Sequence, residues 1–279
     1  MYILVTGTAG LLGSKFTEWL LENLNDVTVV GIDDLSGGYL ENVPNKTKFF
    51  NISLNNYEKV EEIFQSYKFN YIFHFAAYAA EGLSPFIRKF NYNNNLLNTT
   101  NLINMSIKYK IKRFIFTSSM AVYGEGKTPF DEDNNPSPID PYGIAKYACE
   151  MDLKIAKEQH NLDYCIIRPH NVYGENQNIS GEIINLGGIR EIEIKEAAEI
   201  FREIVNDKEY PIDFLQERHE VKNAWSTHQK SIDLLDFEHK TSLKEGLKKM
   251  IEWAKKQPQR EIKKWENYEL DVDIYEYWK

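Results

Sequence analysis

The 279 residues are 42% hydrophobic and carry a net charge of −9. That is enough chain for one sizeable core with a small lobe beside it, and too acidic for a nucleic-acid partner, because phosphate binding needs a basic face. No apolar run is long enough for a bilayer, and Met1-Tyr2-Ile3 enters a strand at once without the charged region of a signal peptide. Cys149 and Cys165 make no disulfide framework, and the six histidines show no ligand spacing, so a cytoplasmic protein without a metal is expected.

In chain order, the hydrophobic pattern predicts a strand at 2–6, a helix at 10–24, strands at 27–32 and 47–50, and a helix at 56–67. A strand at 70–75, a helix at 84–109, a strand at 112–117, a helix at 140–160 and a strand at 163–168 follow. Short apolar strands alternating with amphipathic helices imply an α/β fold, a doubly wound parallel sheet covered on both faces. The asparagine-rich stretch 91–105 reads as helix of low intrinsic propensity held by packing. Residues 183–188 read as one more strand ending in a glycine turn, and 192–205 as a helix. Leu243, Leu247, Met250, Ile251 and Ala254 share a helical face that ends before Pro258. The charged, aromatic tail 259–279 either docks on the body or frays. The expected division is 1–177 for a dinucleotide-binding domain and 178–279 for the last strand, a reduced C-terminal lobe and the tail.

Gly7-x-x-Gly10-x-x-Gly13 stands where the first strand meets the first helix. Glycines there let the backbone turn tightly and approach a pyrophosphate, which rests on the helix N-terminus. Asp33 ends the second strand about 20 residues further on, the spacing of a carboxylate that holds an adenosine ribose. Asp33 and Asp34 repel a 2′-phosphate, and no Lys or Arg follows before Lys46. The expected cofactor is NAD rather than NADP.

Ser119 follows the apolar run 114–116, and Tyr142 and Lys146 lie one helical turn apart. A free tyrosine has a pKa of about 10, too high for a base at neutral pH. The ammonium of Lys146 is expected to favour the phenolate, as would the positive nicotinamide of NAD. Tyr142 then takes the proton of a substrate hydroxyl while carbon gives hydride to the cofactor, and Ser119 holds the same oxygen.

With these motifs the chain resembles the extended short-chain dehydrogenase/reductases, and among them the nucleotide-sugar epimerases typified by UDP-glucose 4-epimerase. The resemblance covers residues 1 to about 177 and resumes from about 181 to 256. It implies a Rossmann fold in which Gly7, Gly10, Leu11, Leu12 and Gly13 meet the NAD pyrophosphate and Asp33 its ribose. Asn51 and Ile52 would hold the adenine, and Phe75, Ala76 and Ala77 would lie along the cofactor with Tyr142 and Lys146. Ser119, Tyr142 and Lys146 fall on the catalytic positions, and Asn171 would meet the sugar-nucleotide diphosphate. The related 4,6-dehydratases carry Asp-Glu, and the UDP-glucuronate decarboxylases a second-position glutamate, where this chain has Met120-Ala121. Neither residue can serve as the acid or base that elimination needs, so oxidation and reduction at one carbon remain.

The family places several dozen residues between the Asn-Val-Tyr-Gly segment and the strand ending in Asn-x-Gly, and here 174–181 passes almost directly into 183–185. Residues 169–182 barely span a parallel crossover and supply no helix. One sheet face is therefore expected to be partly bare, or covered by C-terminal helices or another subunit. Of the basic substrate contacts only Arg218 remains, with Glu220 for the ribose hydroxyls and a solvated loop as the alternative for Arg218. Ala224 would leave room for an N-acetyl group, and Ala79 replaces a lysine that some members aim at the NAD phosphates. The leading expectation is an NAD-dependent epimerase acting at carbon-4 of a UDP-hexose. The alternatives are a catalytically impaired NAD-binding protein and an oxidoreductase of a smaller substrate. The resemblance also implies a homodimer through the helices at 84–109 and 140–160.

Overall fold

The computed structural model describes residues 1–170, 183–188, 190–256 and 265–278. Seven strands, β1 (Tyr2–Thr6), β2 (Thr28–Asp33), β3 (Lys48–Asn51), β4 (Tyr71–His74), β5 (Arg113–Thr117), β6 (Tyr164–Pro169) and β7 (Ile183–Leu186), form one sheet in the order β3-β2-β1-β4-β5-β6-β7. Every pairing is parallel. The chain winds outward from β1 in one direction and from β4 in the other. The crevice between their C-terminal ends is the switch point where such sheets bind ligands.

Alternate side chains of each strand serve the two faces, which is why the strands read as unbroken apolar runs. Leu4, Val30, Ile32, Ile72, Phe114 and Phe116 pack on helices α2 (Tyr57–Ser66), α4 (Asn98–Lys108) and α5 (Pro141–His160). Ile3, Val5, Val29, Phe73, Ile115, Cys165 and Ile184 pack beneath α1 (Leu11–Asn23), which contributes Phe16, Trp19 and Leu20. Local chemistry sets the helix ends. The Asp140 carboxylate accepts the Tyr142 and Gly143 N–H groups at 2.8 and 2.9 Å, Pro141 opens the first turn, and α5 ends on Asn161 with φ 55°.

The helix expected at 84–109 is broken. A 3₁₀ turn at Ser84–Phe86 precedes α3 (Arg88–Tyr92), and a π-helical turn at Asn93–Leu97 separates α3 from α4. Pro85 opens the first break, and the asparagines explain the second. Asn91 donates to the Pro141 carbonyl at 2.9 Å. Asn95 accepts the Tyr78 N–H at 2.8 Å and donates to Asn91 at 2.7 Å. Inward hydrogen bonding, as well as packing, pays for this segment.

Another helix, α7 (Gln229–Leu235), was not anticipated from sequence. It packs on β7, and its Leu235 joins the cluster that holds Cys165 and Ile184, 3% and 1% exposed. This C-terminal helix therefore covers the β7 end of the sheet, as one of the three expectations for that face had it. Asn171 and the rest of the crossover to 182 lie outside the described residues, as does Pro258. Helix α6 (Ile194–Val205) buries no residue and α8 (Leu243–Ala254) buries only Gly246, so the C-terminal lobe is thin. The tail docks: Ile274 and Tyr275 are buried.

Candidate active site

The glycine turn closes on itself at the C-terminal end of β1. Gly7 has φ +73°, and a Cβ there would sit 2.7 Å from the Ala76 nitrogen; one on Gly13 would sit 2.1 Å from the Gly7 carbonyl oxygen. No side chain caps α1, so the N–H groups of Leu11, Leu12 and Gly13 head a helix that presents donors and a positive dipole end. Asp33 faces this loop from the end of β2. Its two oxygens accept the Ala9 N–H at 3.0 Å and the Leu35 N–H at 2.8 Å, and burial pushes its carboxyl above the usual range. Each oxygen keeps acceptor capacity for a ribose hydroxyl. Asn51 lies beside Asp33 in the sheet register and is exposed, while Ile52 packs on the core.

Phe75 stacks edge-on against Phe16 at 5.4 Å, which turns its ring into the α1 side of the core. The Ala76 N–H donates to Thr6 Oγ1 at 3.2 Å, and Ala77 is exposed. A neighbour unmarked by any motif, His74, bridges Thr6 Oγ1 at 2.6 Å and Thr99 Oγ1 at 2.9 Å. Burial lowers it to about 3, so it is a neutral strut. The cradle that a Cβ would fill, the uncapped helix start and the acceptor-only Asp33 together fit an unphosphorylated dinucleotide.

Ser119, half-buried after β5, accepts the Ala121 N–H at 3.1 Å and acts to lower the pKa of the Tyr142 phenol. Tyr142 in the first turn of α5 is 7% exposed. The Lys146 ammonium donates to the Thr117 carbonyl at 2.7 Å and lies 5.8 Å from the centre of the Tyr142 ring. Sequence therefore foresaw a trio that the fold brings together. The expected effect of Lys146 on the phenol is a correction. Burial raises the Tyr142 phenol well above its ordinary value, Glu81 and Asp140 push it the same way, and burial lowers Lys146 to about 8. Desolvation is the largest influence on both groups.

Behind the trio runs a buried polar chain that no motif signalled. Ser118 donates to Glu150 at 2.6 Å, and Arg168 binds both oxygens of Glu150 at 2.9 and 2.6 Å. The guanidinium lies over the Tyr123 ring at 4.6 Å, and Tyr123 donates to Asn185 at 3.0 Å.

At the mouth, Ser84 donates to Asp140 at 3.3 Å and accepts the Tyr142 N–H at 3.2 Å. Glu81 accepts the Val221 N–H at 2.9 Å, and burial pushes its carboxyl up to about 6. Arg218 and Glu220 pair at 3.0 Å directly over Gly82, where any side chain would collide with the Glu220 carboxylate. Arg218 is a loop residue with its side chain 45% exposed, paired with Glu220 over Gly82. Ala224 is exposed, and nearby Ser226 bonds His170 Nε2 at 2.6 Å. Asn171, expected at the diphosphate, lies outside the described residues.

The chain matches the NAD dependent epimerase/dehydratase family over residues 3–204. It is 36% identical over 183 residues to a protein of Methanocaldococcus jannaschii with the provisional name UDP-glucose 4-epimerase, a match covering 64% of this chain and 59% of that protein. A UDP-glucuronate 4-epimerase of Thermodesulfobacterium geofontis is 25% identical, with 91% of this chain and 96% of the relative covered. That match runs over 313 aligned positions, more than this chain contains, so the relative carries segments that are missing here. Among solved structures, the UDP-glucose 4-epimerase of Thermotoga maritima with UDP-glucose superposes with a TM-score of 0.86 at 29% identity, covering 92% of this chain and 99% of that one.

Proposed function

The chain belongs to the NAD dependent epimerase/dehydratase family, and from that premise we propose that it is a cytoplasmic nucleotide-sugar epimerase acting at carbon-4 of a UDP-hexose. The N–H groups at Leu11, Leu12 and Gly13 would hold the pyrophosphate, with Gly7 and Gly10 shaping the turn. Asp33 would hold the ribose, Asn51 and Ile52 the adenine, and the backbone of Phe75, Ala76 and Ala77 would run along the dinucleotide. NAD, when bound, supplies the hydride acceptor and donor for the sugar carbon. Tyr142 Oη takes the proton from the carbon-4 hydroxyl and returns it after the keto sugar has turned over, while Ser119 Oγ holds that oxygen. Burial keeps the phenol neutral in the free protein, and positive charge brought beside it lowers its pKa toward the working range. Buried, nonpolar-flanked Met120 and Ala121, 4% and 3% exposed, offer no group for elimination.

The observation that carries this reading is the convergence of Ser119, the buried Tyr142 and Lys146 at the C-terminal end of β5, where Lys146 is fixed on the Thr117 carbonyl two strands away from the glycine turn. A second reading, an NAD-binding protein with impaired catalysis, draws on the thin lobe and on an Arg218 already paired with Glu220. Proton NMR of the protein with NAD and, separately, UDP-glucose, UDP-galactose and their N-acetyl forms separates the two. New anomeric signals of the 4-epimer, lost in Tyr142→Phe, are expected. No conversion of any sugar by folded, NAD-bound protein would transfer the claim to the second reading, and net NADH would point to an oxidoreductase.

A further inference from the structure

Residues 265–278 lie as a strap across both halves of the mouth. On one side Glu269 grips the start of α3, its carboxylate accepting the Lys89 and Phe90 N–H groups at 2.7 Å each, while the Glu269 and Leu270 N–H groups donate to the Phe86 carbonyl at 2.9 and 3.2 Å. Trp265 packs against Phe90 and Tyr78 at 4.6 and 5.1 Å. On the other side the Tyr275 hydroxyl accepts the His219 N–H at 2.6 Å, and the Tyr277 hydroxyl donates to the Gln216 carbonyl at 3.3 Å. Tyr275 is itself seated against Phe86 and Trp278, at 5.7 and 5.0 Å. One buried ring thus ties the loop that carries Glu81 and Ser84 to the segment that carries Arg218 and Glu220.

The link continues to the reacting group. His219 Nε2 donates to the Ile139 carbonyl at 3.2 Å, and the next residue, Asp140, caps the helix turn that holds Tyr142. The strap bonds Gln216 and His219, the residues on either side of the stretch that carries Arg218 and leads into Glu220.

We propose that this strap forms the wall of the sugar-nucleotide site that the segments missing here supply in longer relatives, with Tyr275 as the positioning residue for Arg218 and Glu220. The proposal rests on the epimerase reading. Arg218 would meet the diphosphate, so the strap governs affinity for the nucleotide sugar and leaves NAD affinity alone.

Tyr275→Phe keeps the ring and removes only the hydroxyl. In the NAD-loaded full chain, amide exchange at 216–221 should quicken by about five- to tenfold, the worth of one hydrogen bond, and the Kd for UDP by calorimetry should rise by the same order. The NAD Kd and exchange in β1 to β5 should hold, which a general loss of stability would not allow. Glu269→Ala should loosen 86–90 in the same selective way. Unchanged exchange at 216–221 would overturn the proposal, as would faster exchange with an unaltered UDP Kd. If the unsubstituted protein binds no UDP while its exchange responds as stated, the epimerase reading itself falls, and the strap's role in binding falls with it.

Discussion

Lys146 sits under two opposing demands. Its ammonium is useful beside Tyr142, yet burial beneath α5 brings it down from 10.5 to about 8. The charged form exists below that value and is lost as the pH rises through it. For the NAD-loaded enzyme, kcat/KM should therefore fall on an alkaline limb near pH 8, where an unperturbed lysine would hold activity to about 10. The positive nicotinamide ring, placed beside Lys146, would push that limb lower. A limb that stays above 9.5 would remove Lys146 from the proton chemistry. At this scale the residues were legible and their electrostatics were not. Tyr142, Lys146 and Ser119 stand at fixed spacings along elements, which sequence records. The rise of the Tyr142 phenol comes from neighbours distant in sequence, Glu81 among them, and from exclusion of water by the assembled fold.

At the scale of elements, the buried pair of Glu150 and Arg168 joins α5 to β6 immediately behind the Ser119 turn, with side chains 0% and 1% exposed. Removing one partner leaves the other charged in an apolar interior. Arg168→Met should cost about 3–5 kcal/mol in urea unfolding, and the double change with Glu150→Leu should cost less than the single one. Additive losses would show that the pair acts as independent packing. The strands were legible because a sheet buried on both faces demands continuous apolar runs. Helix α5 was legible from Pro141 and the apolar period. The split of 84–109 was not, because it depends on where Asn91 and Asn95 find partners, on Pro141 and Tyr78. Helix α7 is only 7 residues long and has no apolar run of its own; its place is set by the uncovered end of the sheet.

The whole molecule leaves one more surface to account for. Ile144, Met151 and Ile155 repeat on one face of α5 and are 45%, 48% and 46% exposed, with Leu97 beside the π turn 48% exposed. Such an exposed apolar stripe is what an isologous homodimer through α5 would bury. Ile155→Glu should weaken self-association at least about thirtyfold, read by light scattering across a dilution series, without lowering NAD affinity. A protein that is monomeric before substitution would remove the dimer. The overall architecture could be read from alternation alone. The mouth could not, because its parts meet across very long stretches of chain: Glu269 bonds residues 180 and 179 positions away, and Glu81 one that is 140 away. Closing such loops costs more entropy than pairing β1 with β4, whose partners lie near 68 apart. In time, then, the molecule should be built from the sheet outward. A refolding chain should regain its dinucleotide cradle first and its sugar mouth last, and mild denaturant should undo them in the reverse order, blinding the protein to its sugar while it still holds its cofactor.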